Sequence, residues 1–139
     1  MKINLVVVGK QEALFTEAVL EFTKRIKRYS DFEVVETTDE KLGEVIQKYE
    51  RMFLLDEKGK EFSTMEFSDL LQKQLNIGGK NMCFVIGGAY GFSAEVKEQA
   101  NATISLSKLT FPHQLVRVIF LEQLYRAFTI LNNEKYHHQ

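Results

Sequence analysis

Apolar residues along this chain come in blocks that change period. Residues 3–8, INLVVV, form a nearly unbroken β-branched run that ends at Gly9, the pattern of a strand buried on both faces. Residues 11–29 then place Phe15, Ala18, Val19, Phe22, Ile26 and Tyr29 three or four apart, which predicts an amphipathic helix. Its polar positions are acidic first (Glu12, Glu17, Glu21) and basic last (Lys24, Arg25, Lys27, Arg28), the order that suits a helix dipole. A second strand is expected over 32–36 and a weaker helix over 40–51. A third strand follows over 52–55, and the polar stretch DEKGKEF after it reads as a loop. Ser63 and Glu66 have capping-box spacing and open a helix that Gly78 and Gly79 close. Residues 82–86 are the most apolar strand and run into GGAYGF. Ser93 caps a short helix to about residue 100, and 103–106 is a fifth strand. Pro112 starts a last helix reaching about residue 131, with the tail NNEKYHHQ beyond it.

Strands alternate with helices throughout. That order predicts an α/β domain with a mostly parallel sheet and helices on both faces. With 139 residues, no repeats, no linker and a lone Pro at a helix start, residues 1–139 are expected to form one domain. The last helix does not fit a single stripe. Leu115, Val116, Val118, Ile119, Phe120, Leu121, Leu124, Tyr125, Phe128, Ile130 and Leu131 surround it, so it must be covered on more than one side. The cover is either the rest of its own fold or a second subunit. A homodimer is the favoured expectation, because helices of such sheets lie outside them.

Composition narrows the class. Lys and Arg number 18 against 19 Asp and Glu, which argues against a protein that coats nucleic acid by bulk charge. The segment from Asn101 onward carries four basic residues against two acidic ones and all three His, so a local basic surface is allowed. One Cys rules out an internal disulfide framework and points to a reducing compartment. No apolar run approaches the roughly 18 residues of a membrane helix, and the N-terminus lacks a signal-peptide pattern. A soluble cytoplasmic protein is expected, with no membrane and no metal among its partners.

Candidate chemistry gathers at three strand ends: Leu55 with Asp56, the GGAYGF loop after Ile86, and the stretch from Leu106 into SKLTFPH. In parallel sheets, ligands bind beyond the carboxyl ends of the strands, and glycines there let backbone groups approach closely. The first strand lacks the dinucleotide fingerprint, and no phosphate-loop motif or G-x-S-x-G elbow is present. His137 and His138 are adjacent, a poor metal pair. Cys83 lies mid-strand and reads as inert core. Tyr90 reads as packing or a lid for its loop, and His113 as a surface residue of the helix start. Arg117 and Arg126 interrupt an apolar helix, where charges serve function or an interface. Pattern alone thus reaches a dimeric α/β protein with a small-ligand site and stops short of a reaction.

FVIGGAYGF, SLSKLTFPHQLVRVIFLEQLYRAF and NNEKYHH, with MKINLVVVGK and LLDEKGKEFS, resemble the RlmH family of SPOUT-class methyltransferases. The resemblance covers nearly the whole chain and departs only in residues 36–51, which look shorter than in relatives. It implies a C-terminal trefoil knot, which no periodicity could have indicated. It implies transfer of a methyl group from S-adenosylmethionine to N3 of a pseudouridine in large-subunit ribosomal RNA, within the ribosome. The cofactor would be held by Leu55, Gly87, Leu106, Ser107, Lys108, Leu109, Thr110 and Phe111. His113 or His137, or a water beside one of them, would accept the N3 proton. Arg117, Arg126 and Tyr136 would place the RNA, with an intersubunit ion pair as the alternative for Arg126. Two other readings stand beside this one: a non-catalytic, dimeric, ribosome-associated RNA-binding protein, and a SPOUT methyltransferase with another RNA target.

Overall fold

The structure is a computed structural model and describes residues 1–138. Five parallel strands form one sheet in the order β2-β1-β4-β3-β5. They are β1 (Lys2–Val8), β2 (Asp31–Thr37), β3 (Arg51–Glu61), β4 (Asn81–Ile86) and β5 (Ala102–Ser105). The helices between and after them are α1 (Ala13–Ile26), α2 (Asp39–Ile46), α3 (Thr64–Ile77), α4 (Ala94–Gln99) and α5 (His113–Leu131). Strand β4 is buried along Met82–Ile86 and β1 along Ile3–Val8, as their unbroken apolar runs require of central strands. The α/β architecture with helices on both faces is the one expected. One face carries α1, α3 and α5 over a core centred on Phe84 and Phe120, whose rings lie 4.9 Å apart. The other carries α2 and α4 over Val6, Leu54, Cys83 and Val85.

Local signals hold where they rest on backbone geometry. Ser63 Oγ accepts from the Glu66 N–H at 3.1 Å, and the Glu66 carboxylate accepts from the Ser63 N–H at 2.9 Å. Gly78 closes α3 with φ 71°, and its N–H donates to Gln74. Two expectations need correction. The DEKGKEF stretch is not simply a loop: β3 stays extended to Glu61 and pairs with β5 again at Lys60 and Glu61, after a register shift. There Gly59 packs so close to the Thr103 carbonyl that a Cβ would stand 2.6 Å from it. Second, α5 finds much of its cover within its own chain. It lies between α1 and α3, which bury Phe120, Leu121, Leu124 and Phe128. Leu115, Val118 and Ile119 remain half-buried on its outer side.

The candidate ligand cleft and the docked tail

Parallel strands end on one edge, where β4 and β5 deliver their following loops and β3 its irregular stretch between Leu55 and Lys60. The loops enclose a cleft of about 350 Å3 lined by Leu55, Gly87, Leu106, Ser107, Leu109, Thr110 and Phe111. Seven of the eight residues implied for the cofactor therefore meet in one place. Lys108 is the exception: it points outward, 3.5 Å from the Glu61 carboxylate. The volume lies in the range of small-molecule sites, roughly 300–1,000 Å3.

Each wall has a local cause. The Leu106–Phe111 wall is a knot of short bonds: Ser105 Oγ donates to the Ser107 carbonyl at 2.9 Å, and the Leu109 N–H donates to Ser107 Oγ at 3.0 Å. Asp56 accepts from the Lys58 N–H at 3.0 Å, which turns the chain after Leu55. The glycine loop threads a narrow gap. A Cβ on Gly87 would stand 3.1 Å from the Phe92 ring, and one on Gly88 would stand 3.2 Å from Val8 Cγ1. A side chain at Gly87 would therefore press on Phe92 as well as take space beside the cleft. Thr110 Oγ1 donates to the Glu57 carboxylate at 2.6 Å and ties the two outer walls together. Glu57 was missed from sequence, since 53 residues separate this pair and no spacing rule joins them. Lys97, from α4, also lines the cleft, as does His113 at the start of α5.

The other expected site residues are elsewhere. Arg117 is not a surface residue: it is 1% exposed, and its guanidinium donates to the carbonyls of Val8 at 3.1 Å and Gly9 at 2.9 Å. Burial pushes its pKa down, with Glu36 and Glu12 opposing. The expected contact with RNA phosphate is corrected to a clamp between α5 and the end of β1, because the guanidinium is buried and its Nη2 is bonded to both carbonyls. Gln114 reinforces the clamp by donating to the Lys10 carbonyl at 2.9 Å.

Arg126 and Tyr136 come together with His137. Arg126 Nη2 pairs with Glu122 at 2.7 Å, the Tyr136 hydroxyl donates to the same carboxylate at 2.8 Å, and Arg126 lies 4.7 Å from the Tyr136 ring centre. The Glu122 bond raises the pKa of Arg126, while burial and then Glu122 raise that of Tyr136. Arg126 Nη1 lies 3.0 Å from His137 Nδ1. A guanidinium only donates, so Nδ1 accepts in this contact. His137 is engaged with Arg126 and does not line the cleft of its own chain, whereas His113 does. His113 has no such partner. The tail is also docked rather than loose: Tyr136 packs edge-on against Tyr125 at 4.7 Å, and the Tyr29 hydroxyl donates to Glu134 at 2.7 Å. Cleft and tail lie toward opposite ends of α5. Val116 and Arg126 are separated by about 15 Å of helix at 1.5 Å per residue.

A fold of this kind is found in solved structures described as methyltransferases. Solved structures of like fold include a probable methylase family protein of Haemophilus influenzae, with TM-score 0.64 and 10% identity, covering 99% of this chain and 70% of that one. Another is the SpoU methyltransferase AviRb of Streptomyces viridochromogenes, with TM-score 0.53 and 10% identity, covering 97% of this chain and 59% of that one. The model of the family described as predicted SPOUT methyltransferase matches residues 1–137, and the chain belongs to that family. Within it, the chain is 47% identical to ribosomal RNA large subunit methyltransferase H of Parabacteroides distasonis over 157 aligned positions, covering all of both chains. It is 45% identical to the protein of that name from Porphyromonas gingivalis, again over all of both. The 157 aligned positions exceed this chain's 139 residues by 18, so 18 positions of that alignment have no counterpart in this chain.

Proposed function

We propose that this methyltransferase uses S-adenosylmethionine to methylate N3 of a pseudouridine in large-subunit ribosomal RNA, with His113 as proton acceptor. The observation that carries the reading is the convergence of three distant loops on one cleft through seven of the eight implied cofactor residues. When bound, the cofactor supplies a methyl group already activated by a positive sulfur. The residues present fit such a ligand. Leu55, Leu109 and Phe111 offer apolar walls to a flat ring, and peptide groups of Gly87 and residues 106–111 offer donors and acceptors to its edge and ribose.

The chain's own task is then alignment and proton removal. Its walls hold the donor so that the ring nitrogen attacks in line, an effect of proximity and orientation. His113, or a water it holds, would take the N3 proton when the methyl group is transferred from sulfur to nitrogen, and would release it to solvent. No metal ligand is invoked, and no group of three or more His, Cys, Asp or Glu suited to a metal occurs among the described residues.

A homodimer belongs to the same reading. The docked tail lies far from its own cleft, and the outer side of α5 keeps Leu115, Val118 and Ile119 half-buried. Packing that face against a second copy would bring Arg126 and Tyr136 of one protomer toward the cleft of its partner, where they would place the RNA. The trefoil threading belongs to it as well, supported by the return of α5 from edge strand β5 to the middle of one face.

Calorimetry tests the cofactor site. S-adenosylmethionine should bind equally with and without EDTA, and Gly87→Val should abolish binding by displacing Phe92 and the loop. Absence of binding heat, or binding lost to EDTA, would refute the assignment.

A further inference from the structure

Among the described residues six large apolar side chains stand exposed: Leu14, Leu20, Met65, Ile77, Tyr90 and Leu109. Four belong to helices α1 and α3. The other two, Tyr90 and Leu109, both line the cleft. Tyr90 is the most exposed of the six at 94%, and among the described residues its hydroxyl makes no hydrogen bond and its ring no aromatic contact. The fold gains nothing from it, so it is not the packing residue that its place in the loop suggested.

A hydrogen-bonded turn carries it. The Gly91 N–H donates to the Gly88 carbonyl at 3.1 Å, and Gly91 takes φ 70°, a left-handed conformation that glycine adopts without strain. On the near side Gly87 and Gly88 are wedged between Phe92 and Val8. On the far side Phe92 packs against the core beneath α2 and α4. The turn is anchored at both ends, and Tyr90 sits at its tip over the cleft mouth.

We propose that Tyr90 is a positioning residue that stacks on the base receiving the methyl group, forming an acceptor-base subsite at the mouth of the cleft. The inference rests on the methyl-transfer reading above. Two flat groups must enter this cleft, the ring of the methyl donor and the accepting base. A small ligand in a pocket loses most of its surface to the walls, so the donor's ring belongs deep against Leu55 and Phe111. The accepting base arrives from outside, unstacked from its own strand. It needs a face that fixes its plane while leaving its nitrogen edge free, and single-stranded bases take such support from aromatic side chains. An exposed, unshared aromatic ring, carried on an anchored turn at the mouth, can offer such a face.

The test compares Tyr90→Ala, Tyr90→Phe and Tyr90→Trp with the unaltered protein, using methyl-labelled S-adenosylmethionine and ribosomes from cells lacking this protein. Tyr90→Ala should lower kcat at saturating cofactor at least tenfold, because the base is held only for transfer. Cofactor Kd should stay within twofold and the melting temperature should not move. Tyr90→Phe and Tyr90→Trp should keep transfer within threefold. The chain has no Trp, so Tyr90→Trp also provides a single reporter whose emission S-adenosylmethionine alone should leave unchanged. Wild-type transfer rates in Tyr90→Ala would overturn the proposal. So would a loss in Tyr90→Phe equal to that in Tyr90→Ala, which would assign the work to the hydroxyl. Weakened cofactor binding, or Trp emission altered by cofactor alone, would make the residue a lid on the donor and overturn it too. Failure of the unaltered protein to transfer methyl to ribosomes would overturn the parent reading and this inference with it, a result separable from the others by that control.

Discussion

Replacing Arg117 by Met separates the interior role of this residue from a role on RNA. The guanidinium donates to Val8 and Gly9 at 3.1 and 2.9 Å from a position 1% exposed. Met fills much of the volume, so no large cavity opens, but both carbonyls lose a charged donor. The Val8 carbonyl is buried, and an acceptor orphaned there costs roughly 1–3 kcal/mol. Gly9 lies in an exposed loop and recovers water, so its loss is about 1 kcal/mol. Removing a buried charge, one of whose nitrogens, Nε, has no partner, returns part of this. The net is a destabilisation of about 2 kcal/mol, in the upper half of what single substitutions do. With a urea m-value of about 2 kcal/mol/M, the unfolding midpoint should fall by about 1 M. The comparison needs matched protein concentrations, since self-association shifts apparent stability. Affinity for ribosomes, measured by co-sedimentation where the variant is still folded, should be unchanged. An unmoved midpoint together with weakened ribosome binding would refute the clamp and restore a phosphate contact.

Three further outcomes are expected. The Ser63 N–H and hydroxyl hold the Glu66 carboxyl below the usual glutamate range, so its stabilisation is full above that range and fades as pH falls through the lowered value. Melting temperatures from pH 6 to 3 should fall less steeply for Glu66→Gln, and identical slopes would contradict the capping box. Burial pushes the Cys83 thiol up to about 12, so Ellman's reagent at pH 8 should react only after urea unfolding, and prompt labelling would place the thiol at the surface. Deleting residues 136–139 should leave cofactor affinity nearly intact but cut methyl transfer to ribosomes more than tenfold, about 1.4 kcal/mol of transition-state stabilisation. Full transfer by that variant would make the tail dispensable.

Much of the fold was legible because burial writes itself into side chains. Ile3–Val8 and Met82–Ile86 are apolar throughout and are central strands, while the Ser63 and Glu66 pair and the Gly78 turn mark helix ends through backbone chemistry. The site was legible in outline, since parallel strands must end on one edge and the loops after Leu55, Ile86 and Leu106 had to meet there. What stayed hidden rests on backbone pairing or distant contacts. Lys60 and Glu61 join β5 through their peptide groups, which leaves polar side chains that look like a loop. The all-round apolar surface of α5 reads alike whether α1 and α3 or another subunit covers it, because the same atoms leave water. Arg117 reads as a charge serving function or an interface, since nothing near it in sequence reveals the carbonyls of Val8 and Gly9 more than a hundred residues away. The contact of His137 with Arg126 depends likewise on where the tail folds back, which tail composition does not encode.

The most direct test of the central claim is a mass-spectrometric map of large-subunit ribosomal RNA from cells lacking this protein. These cells should be compared with the same cells supplied with the unaltered chain or with Gly87→Val. The account predicts one pseudouridine that loses a methyl group on deletion, regains it with the unaltered chain, and stays unmethylated with Gly87→Val. An RNA map unchanged by deletion, or methylation restored equally by Gly87→Val, would contradict the account.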